Sequence, residues 1–370
     1  MRSHKFSVTY VFGYGRKKIL SSKNIYAQDF FYGFNFFKKD LEGVNMIEFE
    51  DKSNKILLTF LSKVLRKLTK LSFFFENICT FKNLKTLLNS KNIIITNDRI
   101  GLSLLPFLII LKLFNINKTS VIVMGLLAKE TNNIISHILQ RIFLNLFFAC
   151  VNNFIFLSKG EFLQAKVSYR KFSDNFYFIP FCIDSKFWTK SKRKSTGKEI
   201  LFIGNDGRRE YKLAIDIAKE LSDYKFTFIT SNIKHSELKS KNITLINGQW
   251  NNQILSDEEM REIYSNANLS IIPIRNSYQP SGQSVALQSM SMEVPVLITE
   301  TVGFWDKDIF LNNKSIVFVK ENNLIKWVEE IKSIFEDDRL RTELSENAKD
   351  IILKKYDSLF FYRELKKIIF

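Results

Sequence analysis

The sequence predicts an α/β protein built from two doubly wound, Rossmann-like domains. Short apolar strands alternate with helices along the chain, which is the pattern of parallel sheets covered on both faces. The alternation pauses at the polar, basic stretch Lys190 to Lys198 and restarts at Ile200, so two halves of similar size are expected. At 370 residues, 45% of them hydrophobic, the chain can supply a core for each half.

The first half begins with a β-branched, aromatic strand at Phe6 to Phe12, which runs into Gly13-Tyr14-Gly15. A strand followed by a glycine turn suits the opening of a nucleotide-binding fold, although an ordinary tight turn fits the same residues. Further strands are expected at 45–49, 92–96, 120–124, 154–157 and 176–179, with helices at 102–114 and 134–151.

In the second half, a strand at 200–203 leads through a glycine-containing loop to a helix at 211–221. Strands follow at 226–230, 243–246, 269–273 and 315–319, and helices at 258–267, 324–335, 339–354 and 359–369. We therefore expect domains at 1–185 and 186–356, with a C-terminal helix at 357–370.

The segment Lys55 to Leu71 predicts an amphipathic helix. At about 100° per residue, one face carries only apolar side chains and the other carries cations. Two interpretations stay open: a core-facing helix with a solvated basic side, or a helix that lies on anionic lipid head groups. The apolar set is Leu57, Phe60, Leu61, Val64, Leu65, Leu68 and Leu71, and the cations are Lys55, Lys63, Arg66, Lys67 and Lys70.

Composition narrows the function classes. The formal net charge of +17 suits nucleic acid, an anionic membrane or phosphorylated substrates, but the chain has no aromatic RNA-binding motif, zinc-finger spacing or basic recognition helix. Nucleic acid is therefore not an expected partner. The three cysteines are widely spaced, without metal-ligand spacing, which favours a reducing compartment and no metal site. The longest apolar run, Gly101 to Leu111, is too short to span a bilayer, and we expect a cytoplasmic protein.

The segment Ser277 to Thr299 combines a Pro-Ser-Gly loop, a short helix and an apolar strand. Gly282 permits a close backbone approach, and Ser281, Gln283 and Ser284 open the helix, where side chains and N–H groups can face a phosphate. Gln288 lies one turn beyond Ser284, where its amide could reach a ribose or sugar hydroxyl. A capped helix beside a buried strand, without any ligand, explains the same residues.

The order of these segments resembles the GT-B glycosyltransferases, and among them the retaining GT4 family, glycosyl transferases group 1. Ile179-Pro180-Phe181-Cys182-Ile183-Asp184 is similar to its interdomain signature, and Leu201 to Gly204 to the first strand of its donor domain. Ile263 to Ser270 resembles the family motif that precedes its Pro-Ser loop. Pro280 to Val296 resembles the family's donor loop with the helix and strand that follow it. The resemblance implies a GT-B architecture, with two domains facing across a cleft and the C-terminal helix packing back towards the first domain.

The resemblance also implies a donor site without a metal, in which cations and a helix N-terminus stabilise the diphosphate. Arg209 and Lys212 would stabilise the leaving group, and Gly13 and Gly15 would close over the diphosphate from the first domain. Trp250 could equally border the base or belong to the core. The implied donor-binding residues are Gly13, Gly15, Asn205, Arg209, Lys212, Ser281, Gly282, Gln283, Ser284 and Gln288.

Several positions depart from the family pattern. The family commonly has two glutamates at this loop and helix, where this sequence has Pro280 and Gln288. The glycine that usually ends the helix is replaced by Glu293. A left-handed backbone at Glu293 would cost about 1–2 kcal/mol. The expected first-domain histidine has no counterpart, since Met124 precedes Gly125. Asp306-Lys307-Asp308 matches the metal-binding DxD motif only superficially, because that motif belongs to a different glycosyltransferase fold.

The resemblance implies a hexosyltransferase that uses a nucleotide-diphosphate sugar as substrate and no other cofactor. The basic amphipathic segment 55–71 and the cationic first domain fit contact with an anionic membrane at the inner face of the cytoplasmic membrane. They therefore favour a glycan or lipid-linked oligosaccharide acceptor in cell-surface polysaccharide biosynthesis. Three alternatives stay open: a sugar-nucleotide epimerase, a catalytically silent protein that binds a nucleotide sugar or a partner enzyme, and a membrane-surface scaffold. Asp29 to Gly33 could line an acceptor site or serve only the structure.

Overall fold

A computed structural model of the chain describes residues 4–22, 24–50, 55–115, 117–131, 133–190, 197–238, 240–248 and 254–370. The chain forms two compact units. The first comprises residues 1–23, 31–180 and 361–370, and the second comprises residues 24–30 and 181–360.

The first unit contains a six-stranded parallel sheet in the order β2-β1-β3-β4-β5-β6. Its central strands carry buried apolar runs, such as Ile93 to Ile95 and Val121 to Val123, as expected for strands covered on both faces. The strands are β1 (Phe6–Phe12), β2 (Val44–Glu48), β3 (Ser90–Ile95), β4 (Lys118–Val123), β5 (Asn153–Phe156) and β6 (Phe176–Phe178). The helices are α1 (Arg16–Ser21), α2 (Phe34–Asp40), α3 (Ile56–Thr69), α4 (Phe81–Leu88), α5 (Asp98–Ser103), α6 (Leu105–Phe114), α7 (Ile134–Cys150) and α8 (Lys159–Ser168).

The second unit repeats this architecture with a parallel sheet in the order β12-β11-β10-β7-β8-β9. The strand order reverses direction at β7, where β10 and β8 flank it, and α/β sheets bind ligands at such a switch point. The strands are β7 (Glu199–Ile203), β8 (Lys225–Ile229), β9 (Ile243–Ile246), β10 (Leu269–Ile272), β11 (Val296–Thr299) and β12 (Val317–Val319). The helices are α9 (Tyr211–Glu220), α10 (Asp257–Asn266), α11 (Gln283–Ser291), α12 (Leu324–Glu336) and α13 (Asp338–Lys355); the last helix, α14 (Ser358–Ile369), begins in this unit and continues into the first.

The units change at residues 180/181 and 360/361, a few residues from the predicted boundaries at 185 and 356. Residues 24–30 also join the second unit, although sequence reasoning placed them in the first domain. The end of α14 belongs to the first unit, which agrees with the expectation that the C-terminal helix packs back towards the first domain. There the Tyr362 ring packs edge-on against Phe37 at 4.8 Å, and its hydroxyl donates to Asp40.

Two helix predictions need correction. The helix expected at 102–114 is two helices that meet at Leu104, because Pro106 lies in the first turn of α6 and begins a new helix there. The core-facing interpretation of 55–71 is wrong for most of its apolar face. Helix α3 buries Ser62 and Thr69, whereas Leu57 is 78% exposed.

Among the described residues, none of the helices has both the length and the apolar character needed to cross a membrane.

Candidate functional site

Two loops pair at the carboxyl edge of the second sheet, where β7 and β10 lie side by side. Arg209 and Ile274 form an isolated antiparallel bridge. Beside it, the Glu210 N–H donates to the Pro273 carbonyl at 2.9 Å. The pairing holds the β7–α9 loop against the β10–α11 loop, so most of the predicted donor-binding residues fall within one part of the second unit.

Arg209 lies at the centre of this pairing and is only 3% exposed. Its Nε donates to the Ile203 carbonyl at 2.9 Å, and its Nη1 donates to Asp206 Oδ2 at 2.8 Å. A β-carbon at Gly204 would lie 2.3 Å from Arg209 Nε, and one at Gly282 would lie 3.8 Å from Nη1. The two glycines therefore leave room for the guanidinium, and Arg209 and Gly282 are brought together as the sequence predicted.

The N-terminus of α11 follows directly from this loop. Gly282 occupies the N-cap position with φ of 79°, and a β-carbon there would meet Ile272 Cγ2 at 2.6 Å. The Gln283 N–H donates to the Pro280 carbonyl at 3.4 Å, whereas helix geometry leaves the Ser284 N–H without an acceptor inside the helix, and the helix dipole makes this end positive. The Ser281 hydroxyl is buried and has no hydrogen-bond partner among the described residues. A buried hydroxyl beside a helix N-terminus and an arginine suits an anionic ligand.

Asn205 has a structural role in addition to its predicted one. Its Oδ1 accepts from the Thr230 hydroxyl at 2.8 Å and from the Ser231 N–H at 2.7 Å, and its Nδ2 donates to the Gly248 carbonyl. The side chain thus joins the end of β7 to the end of β8 and fixes the loop that carries Arg209.

Lys212 is placed differently from Arg209. Its side chain is 89% exposed, and its Nζ donates to Asp216 Oδ2 at 2.8 Å, one helical turn further on. Such exposed pairs contribute little to the stability of a helix, because water and salt screen them. The predicted role of Lys212 on the leaving group stays a prediction.

Gly13 and Gly15 lie in the first unit, between β1 and α1. Gly15 takes φ of 89° at the N-cap of α1, so the turn expected after the first strand is present and requires a glycine. Their predicted contact with a diphosphate stays a prediction.

Gln288 is buried, and both ends of its amide are hydrogen-bonded. Its Nε2 donates to Asp29 Oδ2 at 2.7 Å, and its Oε1 accepts from the Tyr264 hydroxyl at 2.9 Å. Asp29 Oδ2 also accepts from Trp188 Nε1 at 2.8 Å, and Asp29 Oδ1 accepts from the Asp184 N–H. The amide predicted to bind ribose is therefore held in place by a network within the second unit.

Asp29 is the residue of this network that sequence reasoning did not identify. The sequence offers Asp29 only for an acceptor site or a structural role, whereas its carboxylate is 3% exposed and accepts three hydrogen bonds inside the second unit. Burial raises its pKa to about 7, against the opposing effect of the hydrogen bonds from Asp184, Gln288 and Trp188. No local pattern signals this role, since its partners lie far away along the chain.

Glu293, which follows α11, adopts the left-handed backbone that the family's glycine would suit, with φ of 57°. Its carboxylate accepts from Lys190 Nζ at 2.7 Å and from Lys349 Nζ at 2.6 Å. Partial burial alone would raise the pKa of Glu293, but these two hydrogen bonds lower it below its ordinary value. Glu293 therefore combines a strained backbone conformation with two ion pairs made by its side chain.

We expect the free energy of unfolding of Glu293→Ala to be about 1 kcal/mol lower than that of Glu293→Gly. Both variants lose the two ion pairs, but only alanine keeps the strain of a β-carbon in the left-handed region. Urea denaturation of both variants measures the difference. Equal stabilities would show that the positive φ at this position costs nothing.

Where a first-domain histidine is expected, at Met124 and Gly125, two buried carboxylates accept hydrogen bonds from the backbone N–H groups. Glu161 is fully buried, and its Oε2 and Oε1 accept from the N–H groups of Gly125 and Leu127, each at 2.8 Å. Asp98 Oδ1 accepts from the Met124 N–H at 3.1 Å. Burial raises the pKa of Glu161 to about 8. These carboxylates brace the loop after β4.

Two remaining predictions concern Trp250 and the DxD-like sequence. Trp250 lies outside the described residues. Asp306 is buried, where it accepts a 3.5 Å hydrogen bond from the Tyr356 hydroxyl, and Lys307 Nζ pairs with Glu300 at 2.8 Å. Among the described residues, no three His, Cys, Asp or Glu side chains are grouped as ligands for a metal ion.

Comparison with known proteins gives one family match. Residues 184–351 match the family model described as glycosyl transferases group 1; the match begins at Asp184, the last residue of the interdomain signature, and includes both paired loops. No curated protein sequence matches the chain.

Solved structures match over nearly the whole chain. HepE from Anabaena, solved in complex with UDP, has a TM-score of 0.67 at 10% identity, covering 98% of this chain and 99% of HepE. Sucrose-phosphate synthase from Thermosynechococcus elongatus has a TM-score of 0.69 at 13% identity, covering 98% of each chain. A glycosyltransferase from Rickettsia africae has a TM-score of 0.66 at 12% identity, covering 99% of this chain and 98% of its own. At these identities the likeness shows the fold, and the predicted GT-B fold and group 1 resemblance are confirmed.

Proposed function

We propose that this GT-B protein, similar over residues 184–351 to glycosyl transferases group 1, moves a sugar from a nucleotide-sugar donor to an acceptor hydroxyl. The observation that carries the proposal is the buried Arg209 beside Gly282 and the unpartnered Ser281 hydroxyl, at the N-terminus of α11. The HepE structures in complex with UDP and with UDP-glucose support a nucleotide sugar as the ligand class.

In this proposal the second unit binds the donor's diphosphate. Charge develops on the diphosphate as the bond to the sugar breaks, and a fixed cation with a helix N-terminus stabilises such charge. Arg209 suits this role because its guanidinium is already oriented by Ile203 and Asp206, so it loses little entropy on binding. The Ser281 hydroxyl and the first N–H groups of α11 would donate to phosphate oxygens.

The finer features of the proposal rest on the family resemblance. They are transfer with retention of the anomeric configuration and independence from metal ions. The basic amphipathic segment 55–71 supports a further feature, an acceptor in cell-surface polysaccharide biosynthesis. The acceptor would be a glycan or lipid-linked oligosaccharide, reached at the cytoplasmic face of the membrane, with residues 55–71 contacting anionic lipid. TarM, a structural neighbour over 76% of this chain, was solved with UDP and glycan ligands, which supports a glycan acceptor.

The first test is thermal unfolding in the presence of UDP, GDP and their sugar conjugates. A ligand at about 100 times its dissociation constant adds about 2.7 kcal/mol to the free energy of unfolding, which raises the melting temperature measurably. Stabilisation by one nucleotide sugar above the others identifies the donor for transfer assays. No stabilisation by any of them contradicts a donor site. Binding without turnover on any acceptor supports the catalytically silent alternative.

The variant Arg209→Ala should bind the stabilising nucleotide about 10- to 150-fold more weakly, because hydrogen bonds to charged groups contribute about 1.5–3 kcal/mol. Isothermal titration calorimetry measures the change. Arg339→Ala is the matched control, since it removes the same charge from an exposed position on α13 that pairs with Glu343. Equal affinities for the two variants would remove Arg209 from the site.

Adding a chelator should leave the transfer rate within about twofold, if fixed cations rather than a metal ion stabilise the diphosphate. The rate is measured with and without EDTA, and again after Mg²⁺ is restored in excess. A rate that falls at least tenfold and returns with Mg²⁺ would contradict metal independence.

A further inference from the structure

Helix α3 carries its apolar face outward. Ile56 is 85% exposed, Leu57 78% and Phe60 66%. Towards the core, Leu58 and Leu65 are partly buried and Ser62 is fully buried; the Ser62 hydroxyl donates to Glu76 Oε2 at 2.6 Å and accepts from the Phe75 N–H at 3.0 Å. These bonds fix the rotation of α3 about its axis, so the exposed apolar face is a consequence of how the helix is attached.

Helix α7 has the same arrangement. Its inner side chains enter the core of the first unit through Leu144, Phe147 and Phe148. Its outer face carries a second apolar row with helical spacing, whose members are between 38% and 71% exposed: Ile134, Ile135, Ile138, Ile142 and Leu146.

The two helices are neighbours in the first unit. Gln140 of α7 donates to the Thr69 carbonyl at the end of α3 at 3.2 Å. Helix α6 also packs against α7 and ends in two exposed side chains, Leu113 and Phe114. Exposed apolar side chains are ordinary when scattered, but two adjacent helices that both present apolar rows indicate a surface that is covered in use.

Charge indicates what covers this surface. Helices α3, α6 and α7 contain no Asp or Glu, and their cations are Lys63, Arg66, Lys67, Lys112 and Arg141. On α3, Lys63 and Lys67 flank the exposed apolar row, since Lys63 lies one turn from Phe60 and Lys67 one turn from Lys63. Flanking lysines extend their ammonium groups away from an apolar surface while their stems cover it. Such a combination fits anionic lipid, because head groups take the cations and acyl chains take the apolar side chains.

We propose that α3 and α7 together form a docking surface for an anionic lipid bilayer. The proposal extends to a second helix the membrane contact proposed for 55–71. It does not depend on the nucleotide-sugar chemistry, since it rests on the first unit alone.

Vesicle flotation with the full-length protein tests the proposal. The unchanged protein should float with vesicles of phosphatidylcholine that contain about 30% phosphatidylglycerol, and binding should weaken as salt rises because the head-group attraction is screened. The variants Leu57→Ser/Phe60→Ser on α3 and Ile135→Ser/Ile138→Ser on α7 should each lose about tenfold or more in partition, as two inserted apolar side chains are removed. The variant Lys63→Glu/Lys67→Glu should lose most of the preference for anionic vesicles.

Ile325→Ser/Leu353→Ser is the matched control, since these side chains are 66% and 52% exposed on helices of the second unit. It should float like the unchanged protein. Since all the substituted residues are on the surface, melting temperatures should stay within a few degrees, and nucleotide binding to the second unit should be unaffected.

The proposal is overturned if the unchanged protein binds no anionic vesicle, or if the control loses as much binding as the two test variants. Loss from the α3 variant without loss from the α7 variant would refute a two-helix surface. Sedimentation velocity without lipid tests the remaining alternative, that the chain forms a dimer through this surface. A dimer that dissociates on the same substitutions would show that a second copy of the chain, rather than a bilayer, covers the surface.

Discussion

Replacing Gln288 with glutamate is expected to lower the free energy of unfolding by about 3–5 kcal/mol at pH 8. The new carboxylate would stand where the amide now donates to Asp29 Oδ2 at 2.7 Å, and both groups are buried. Two carboxylates at that distance cannot both ionise without a large cost. Tyr264 can donate a hydrogen bond to only one oxygen of the new group, so the other would face Asp29.

The pH dependence of this loss follows from Asp29. Burial raises the pKa of Asp29 to about 7, whereas its ordinary value is 3.8, so the folded protein keeps a proton that the unfolded chain releases. Stability from this group is therefore fully present below about pH 4 and is lost as the pH rises towards 7. In the Gln288→Glu variant a second carboxyl group enters the same site, so the loss should be larger at pH 8 than at pH 5. Urea unfolding of both proteins at the two pH values measures it.

The double variant Asp29→Asn/Gln288→Glu is the control that separates charge repulsion from poor packing. The amide introduced at position 29 could donate to the carboxylate introduced at position 288, which reverses the present pair, but Trp188 Nε1 would then lose its acceptor. We expect the double variant to recover about half of the stability lost at pH 8. A double variant that is less stable than Gln288→Glu alone would show that repulsion between carboxylates is not the cause.

Replacing Gly204 with alanine is expected to have the second largest effect, a loss of about 3 kcal/mol in stability together with loss of nucleotide binding. Gly204 has φ of 155°, and a β-carbon there would lie 2.3 Å from Arg209 Nε and 2.7 Å from Cζ. The guanidinium would have to leave the Ile203 carbonyl to which it now donates. Thermal unfolding with and without the stabilising nucleotide measures both effects.

Gly207→Ala provides the matched comparison within the same loop. Gly207 also has positive φ, at 69°, but a β-carbon there would meet no atom within 4 Å. This variant should lose only about 1 kcal/mol from backbone strain and should keep its nucleotide affinity. If both variants lost nucleotide binding equally, displacement of Arg209 would not be the explanation.

Much of the fold could be predicted because its signals are local. Phe6–Phe12 and Leu324 onwards show their structure in a few neighbouring residues, and parallel strands bear apolar runs that stand out from the helices between them. The loop after β7 and the loop before α11 could be identified as candidate binding loops for the same reason, since both contain glycines. Their pairing through Arg209 and Ile274 follows from the sheet order, which the family resemblance implies.

The features that could not be predicted depend on distant residues. Periodicity identified α3 as amphipathic, but the burial of Ser62 is decided by Glu76 and Phe75, which lie outside the helix. Likewise, nothing near Gln288 indicates that its amide is held by Asp29. A residue's partner across the fold changes its chemical environment without changing its local pattern.

Asp29 and Gln288 are 259 positions apart in the sequence, which also affects how the protein folds as it is synthesised. At about 5–20 residues per second, Asp29 waits on the order of 10 to 50 s on the ribosome before Gln288 is made. During that time residues 24–30 have no complete unit to join, because the rest of that unit, 181–360, is still being translated. The hydrogen bond between Gln288 and Asp29 therefore cannot form until more than half of the second unit has been synthesised.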